Sequence, residues 1–502
     1  MSHMFKFASI SATAISLAMP ASAQVTADQV WADWQALMAD YGMTTSVGTA
    51  TQSGEMLKVT DFIASMKFPD GSYIQTVPEI TFQNLGNGTV AITISPEYPV
   101  IFRADQGKDT AVEVKLRVQT DAMTTIASGS PETTQYDITA GALKVLVDEM
   151  TAEGAKIPMV LDFAMQDITG QYVIDGQETR EIRQKFDARS MTFDVSFEDP
   201  KDGGKIQASA LIKDLTSQSV TTMLAAGLGV DMAAALRDGA SIDGAFEHGE
   251  MTYKVDADVD GEQFAMSGVA ASGALGFSMG AGGLSYSAST DDYSMTMSGS
   301  EIPFPQIDVS VAKSEMELSM PVMKSEAPGD FRLAMNMTDF SISEDIWGMF
   351  DPSGQLPRDP ATISFALDGQ ARLFVDILDP AQVEEMGEDA PGEINTVALS
   401  DLIISALGAK LTGAGAFSFD NSDTTTFDGM PAPTGSVDLK LVGANGLIDK
   451  LVALGFVQDE QAMGARMMLG LFARPADGPD TLTSKIEVNG DGSIAANGQR
   501  LR

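Results

Sequence analysis

Gly276-Phe277-Ser278-Met279-Gly280 has the form G-x-S-x-G, the turn that presents a serine nucleophile in many hydrolases. That chemistry needs a strand-to-helix turn, with an acid and a histidine later in the chain. Here Ala281-Gly282-Gly283-Leu284-Ser285 leads into another strand-like run, and no histidine follows Ser278. The serine therefore reads as part of a Gly- and Ser-rich strand. Asp256, Asp258, Asp260 and Gly261 spell the opening of an EF-hand loop, but its twelfth position is Ser267 where a bidentate Glu is needed. Val255, Ala257 and Val259 alternate with the acids, so the stretch reads as a strand with its carboxylates on the wet face. Weak divalent binding by Asp256, Asp258 and Asp260 is the one metal expectation, and no cofactor is expected.

Other chemistry-bearing groups are sparse. Histidine occurs at His3 and His248 alone, and a lone His248 cannot assemble a His-rich metal site. Without cysteine there are no disulfides, thiol nucleophiles, Cys-zinc sites or acylated Cys. Glu384, Glu385, Glu388 and Asp389 form an acidic run that reads as a solvated face. Among 70 acidic residues many carboxylate pairs arise by chance, and without a cleft none is an acid/base pair. Thirty methionines raise copper(I), which wants grouped thioethers. The nearest matches, Met295-Thr296-Met297 and Met467-Met468, are accounted for by burial on a sheet face or a helix. No catalytic residue is nominated.

The elements that carry these residues follow a period of two. Met251, Tyr253, Val255, Ala257 and Val259 alternate with polar residues, and the pattern recurs through Phe264/Met266, Leu275/Phe277/Met279, Tyr293/Met295/Met297 and Met316/Leu318/Met320. Such alternation predicts antiparallel strands with one greasy and one wet face. Strand-like runs also cover 56–63, 90–94, 111–118, 142–147, 157–165 and 191–197. Turn signals stand at Pro69-Asp70-Gly71, Asn87-Gly88, Asp175-Gly176, Asp202-Gly203, Asp260-Gly261, Asp368-Gly369 and Asp491-Gly492.

Thr26 and Gln29 form a capping pair ahead of a helix that ends at Gly42, with Val30, Trp34, Leu37, Met38 and Tyr41 on one face. This helix, which also carries Trp31, is expected to pack on the sheet that follows. Further helical stretches are expected at 217–226, 232–237, 343–350 and 380–386, with a hairpin at 446–454 and 459–473 broken at Gly455-Phe456. Loops are expected at 352–360, 391–392 and 431–435. Asp followed by an apolar residue recurs at expected strand ends, Asp61-Phe62, Asp167-Ile168, Asp214-Leu215, Asp339-Phe340 and Asp401-Leu402, which reads as an old duplication of strand–helix–strand units. The expected fold is mainly β: long antiparallel meandering sheets, as a sandwich or a curved groove, with an N-terminal helix and a C-terminal helical hairpin.

The 502 residues carry a formal charge of −39, a field that repels nucleic acid and anionic headgroups. Residues 1–23 read as a secretory signal: Lys6, an apolar run from Phe7 to Met19, then Ala21-Ser22-Ala23 before Gln24. The run is too short to span a bilayer, and no later segment is long and apolar enough to do so. An exported protein, cleaved after Ala23 and resident in a bacterial periplasm, is the expectation. Residues 24–502 read as a single β-rich region, divisible into pseudo-repeated halves at about 24–240 and 241–502.

Two segments carry a family resemblance. One is Asp339-Phe340-Ser341, Asp345-Ile346-Trp347-Gly348-Met349-Phe350-Asp351-Pro352 and Leu356-Pro357-Arg358-Asp359-Pro360-Ala361. The other runs from Leu447 through Leu451-Val452-Ala453-Leu454-Gly455, Asp459-Glu460-Gln461-Ala462 and Leu469-Gly470-Leu471-Phe472-Ala473. Together they resemble exported alphaproteobacterial proteins of the domain of unknown function 2125, over the whole mature chain. The resemblance implies a periplasmic β-rich protein with no assigned activity and no catalytic residues.

Three functional classes follow. The leading expectation is a non-catalytic envelope protein with an interaction or structural role and an unknown protein partner. The second is binding of a lipid or other apolar ligand in a sheet groove walled by Phe264, Met266, Phe277, Met279, Met295 and Met297. A carboxylate-based hydrolase ranks last, since no nucleophile and base can be paired. A dry sandwich would press those wall residues against a second sheet, whereas a groove would leave them open to solvent along several strands.

Overall fold

Strands that are apolar on one side only must pair through their backbones and then find cover for that side. The computed structural model describes residues 24–68, 71–105, 111–176, 179–199, 203–224, 232–387 and 389–502; the signal-like segment 1–23, Pro69, Asp70 and Asp202 of the turn signals, residues 225–226 of an expected helix and Glu388 of the acidic run lie outside these. All the strands pair antiparallel into one meandering sheet.

At one edge β1 (Thr44–Ser46) and β2 (Thr49–Ser53) lie end to end on β3 (Met56–Phe68), and β3 pairs with β4 (Gly71–Asn84). Next come β5 (Val90–Ile94) with β6 (Glu97–Asp105), then β7 (Ala111–Asp121) with β8 (Thr124–Gly129), then β9 (Thr133–Ala152). The short β10 (Ala155–Lys156) turns the chain into β11 (Met159–Asp175), β12 (Thr179–Glu198) and β13 (Lys205–Leu224). Beyond β13 lie β14 (Ser241–His248) with β15 (Met251–Val259), β16 (Glu262–Ala270) with β17 (Ser272–Gly280), then β18 (Gly283–Gly299). The sheet continues through β19 (Ile307–Met320), β20 (Gly329–Ile342), β21 (Ala361–Leu373), β22 (Gly392–Ala406), β23 (Ala409–Asp420) and β24 (Ala432–Val442). It ends with β25 (Arg474–Pro475), β26 (Thr481–Val488), β27 (Ile494–Ala496) and β28 (Gln499–Arg500).

Helices interrupt the meander: α1 (Ala27–Asp40), α2 (Met232–Arg237), α3 (Glu344–Phe350), α4 (Pro380–Met386), α5 (Ala444–Ala453) and α6 (Asp459–Phe472). Thr26 caps α1 by accepting from the Gln29 N–H at 3.3 Å, and Gly42 at φ +75° follows its end. α5 and α6 form the expected hairpin, broken at Gly455 with φ +77°.

Several expectations are corrected. Residues 217–224 are not helical but the second half of β13, where Val220, Thr221 and Thr222 pair with both neighbours. Asp368-Gly369 is no turn and lies inside β21: a Cβ on Gly369 would come 2.5 Å from the Phe331 ring, so the glycine makes room for that ring. Residues 432–435 open β24, and Pro433 precedes the stretch paired with β26, so its missing N–H leaves no ladder bond unmade.

The recurring aspartates are also not at strand ends. Asp61, Asp167, Asp214, Asp339 and Asp401, joined by Asp292, lie inside strands with φ between +47° and +55°. They share a line across the sheet. Asp167 stands across from Arg189, to which it is salt-bridged at 2.9 Å, and Asp214 faces Gly249, whose missing Cβ leaves room for its carboxylate. A left-handed residue inside a strand resets which face the next side chain takes, and Asp tolerates it better than most. Buried positions accordingly run Leu57, Val59, then Phe62, Ala64, all in one core. Ile168 and Leu215 share a second core with Met165 and Ile212, three residues before each of them. The line is a crease dividing the sheet into two leaves, and the same face is apolar on both.

Candidate functional site

Residues paired across neighbouring strands share a face, so the register reads out continuous rows of side chains at right angles to the strands. On one leaf Leu161, Val195, Ala208, Val255, Met266, Met297 and Ile307 follow one another, beside Phe163, Phe193, Ala210, Tyr253, Gly268, Met295 and Val309. Across the crease run Phe277, Tyr286, Leu318, Leu333 and Leu367, flanked by Ile242, Met279, Leu284 and Met320. Phe246, Leu275, Ala288, Met316, Met335 and Phe365 form a further row. The six expected wall residues therefore share one apolar face: Phe264, Met266, Met295 and Met297 on one leaf, Phe277 and Met279 on the other.

Among the described residues no second sheet covers them. Phe193, Phe264, Phe277, Met316 and Met335 are each 38–44% exposed. A sandwich would have buried them, so the dry-sandwich arrangement is excluded for this region. At the N-terminal end the same face is sealed by α1. Val30 and Trp31 are buried against Phe62 and Phe82, and the Trp34 ring lies 5.4 Å from Phe82 and 6.3 Å from Tyr136. Packing of this helix on the sheet thus agrees with its apolar stripe.

The opposite face is polar. A hollow of about 820 Å³ opens there, lined among others by Arg183, Lys185, Asp243, Ser278, Glu317 and Arg332. Its charges are largely matched within the sheet: Arg332 bridges Glu317 and Asp368 at 2.7 Å each, and Arg183 pairs with Glu181. Ser278 lies on this face and donates to Asp243 at 2.5 Å, with strands on both sides, so the strand-to-helix turn of a nucleophile elbow is missing. Asp256 and Asp258 also face this side, with Asp256 bridged to Lys254 at 2.7 Å and Asp260 in the hairpin turn at φ +56°. Among the described residues no group of three such side chains is placed to hold a metal ion.

Two features of the apolar face were not legible as pairs. Tyr253 lies over Gly268, where a Cβ would meet its ring at 2.5 Å, and its hydroxyl reaches that of Tyr293 at 2.7 Å. Burial first, and the bond to Tyr293 second, push the Tyr253 phenol up to about 12. His248 lies over Gly273 in the same way, its Nδ1 2.7 Å from the Gly249 carbonyl. The alternation had placed Tyr253 and Tyr293 on the greasy face, but pairing across strands distant in sequence is visible only in the register. Met467 and Met468 differ from expectation: they are 69% and 53% exposed on α6, because that helix meets its surroundings through Ala462 on another side.

Residues 252–491 match the family model described as an uncharacterized protein conserved in bacteria, DUF2125. This part of the chain is a DUF2125 segment. It begins in β15 and ends in the turn after β26, so α1 and the strands it seals lie outside it. The match is shorter than the extent suggested by the sequence motifs, both of which it contains. No curated protein and no solved structure matches the chain. The DUF2125 segment holds all six wall residues and both members of the Tyr253–Tyr293 pair. It contains no helix long and apolar enough to cross a membrane, and neither do the other described residues.

Proposed function

We propose that the protein is exported to a bacterial periplasm and carries an apolar, chain-like ligand, lipid acyl chains above all, on the uncovered apolar face. The single observation behind this reading is that rows of apolar side chains sealed by α1 at one end run on across β12 to β20 with none of the described residues laid over them. The row from Phe163 to Val309 crosses seven strands, roughly 30 Å at the usual strand spacing. Two acyl chains end to end fill a bilayer core of about that thickness, so the row accommodates chains lying lengthwise. Methionine and phenylalanine suit such a ligand because they repack around chains of varied shape. The signal-like segment 1–23 supports export.

Native mass spectrometry of the protein purified from periplasm, followed by organic extraction, tests this directly. Lipid at near-stoichiometric amounts is the expected result. A clean apo mass, together with no binding of an apolar fluorescent probe, overturns it and leaves the face to a protein partner.

A further inference from the structure

On the leaf formed by 161–166, 190–197, 206–213, 251–257, 264–270 and 293–299, every side chain of the apolar face is hydrocarbon or thioether except two. The exceptions are the hydroxyls of Tyr253 and Tyr293, hydrogen-bonded to each other. Two phenols have two protons, and the bond between them uses one. The second O–H and the remaining lone pairs are left over at a spot surrounded by Ala210, Gly268, Met295 and Val311. Just across the crease, the adjoining row of the same face brings His248, Gly273, Thr290 and Ser314 side by side. The face thus has a small polar island where the leaves meet, in otherwise apolar surroundings.

We propose that this island, centred on Tyr253 and Tyr293, receives the ester carbonyl of a neutral acyl lipid whose chain lies along the apolar rows. The inference rests on the lipid reading of the same face and adds the chemical class of ligand. A carbonyl oxygen is an acceptor and matches a spare phenol donor. Lys and Arg are missing from the face of this leaf, so a carboxylate or phosphate placed there would have no counter-charge, and the net charge of −39 opposes it further. A plain hydrocarbon would bury the spare O–H without a partner, which costs affinity.

The experiment uses the full mature chain and three probes: 1-N-phenylnaphthylamine to report on the apolar face, monoolein as a neutral acyl ester, and 1-octadecene as a chain without a carbonyl. Both lipids are titrated as competitors against the fluorophore, for the parent protein and for Tyr253→Phe/Tyr293→Phe. The parent binds the fluorophore and prefers monoolein over octadecene. In the variant, monoolein affinity falls about fivefold, the worth of one hydrogen bond, while octadecene affinity rises, because no O–H is left to bury unpaired, and the fluorophore still binds. With carbonyl-labelled monoolein, the infrared C=O stretch of the bound ester sits lower in the parent than in the variant. Equal monoolein binding by both proteins, or equal loss for monoolein and octadecene, overturns the carbonyl assignment while leaving the lipid reading intact. No fluorophore binding by a folded parent overturns both. Should the double variant fail to fold, Tyr293→Phe alone and the infrared shift in the parent carry the test.

Discussion

The two ends of one apolar face behave as different materials. Near the N-terminus, Phe62 and Phe82 are 2% and 0% exposed beneath Trp31 and Trp34. A few strands further on, Phe193, Phe264 and Phe277 belong to the same face at about 40% exposure. The strands alternate alike in both regions, and the crease runs through both. The difference is α1, which supplies a second layer to one region only. A sheet face becomes a core where something covers it and stays open to solvent where nothing does. The covered end therefore anchors stability, and under the proposed function the open region is free to be selected for what it binds.

Substitutions that exchange the two roles show the largest effects. Phe82→Ala removes a fully buried ring from beneath α1 and should cost about 3–5 kcal/mol in chemical denaturation. Phe277→Ala in the open region should cost under about 1 kcal/mol, because much of its surface is already wet. Equal losses would mean that the open face is covered in solution. Next, Phe277→Glu and Met295→Glu should leave the melting transition nearly unchanged while weakening binding of an apolar fluorophore at least tenfold, since a carboxylate must be desolvated beside the ligand. Phe82→Glu should instead prevent folding. Unimpaired probe binding by the two open-face variants would remove the ligand reading from this face.

The crease gives an effect of intermediate size. At Asp214, with φ +51°, a β-branched residue is strained and glycine is not. Asp214→Val should therefore lose about 1–2 kcal/mol, whereas Asp214→Gly should stay within about 0.5 kcal/mol of the parent in the same denaturant titration. If the valine is tolerated, the crease is not a fixed feature, and apolar sides of the two leaves need not coincide.

Much of the sheet could be read from Met251 to Met320 alone, because alternation determines both the strand and its greasy side. The shared apolar face of the six expected wall residues, α1 with its cap, α4 and the α5–α6 hairpin were legible for similar local reasons. What failed depended on distant partners. Ser217 to Leu224 looked helical until β12 and β14 paired with it, and Gly369 looked like a turn until Phe331 occupied its missing Cβ. The recurring aspartates were visible as an echo, but their meaning is a backbone angle, which no pattern of side chains records. The Asp–apolar pair does carry a usable signal in hindsight: Val59-Thr60-Asp61-Phe62 and Ile212-Lys213-Asp214-Leu215 each change an apolar spacing of two into three. Covered and open faces, by contrast, have the same sequence signature, since cover is supplied from elsewhere in the chain.

The smallest effect concerns ionisation of the tyrosines on the two regions of the face. At the covered end, burial first of all pushes the phenols of Tyr136 and Tyr172 well above their ordinary range. Tyr253 is pushed up less, to about 12, by burial and by its bond to Tyr293. A phenol raised in the folded state above its unfolded value of about 10 contributes stability that is complete below pH 10 and is lost as pH rises toward 12. Alkaline titration of phenolate absorbance should therefore show a reversible component near pH 12 that Tyr253→Phe removes, while Tyr136 and Tyr172 ionise only as the protein unfolds. Bound monoolein should move the Tyr253 component upward, because a ligand accepting from the phenol pair favours its protonated form. A Tyr253 that titrates near pH 10 would mean that solvent reaches the pair freely, and the contrast between the two regions would then extend to their polar groups as well as their packing.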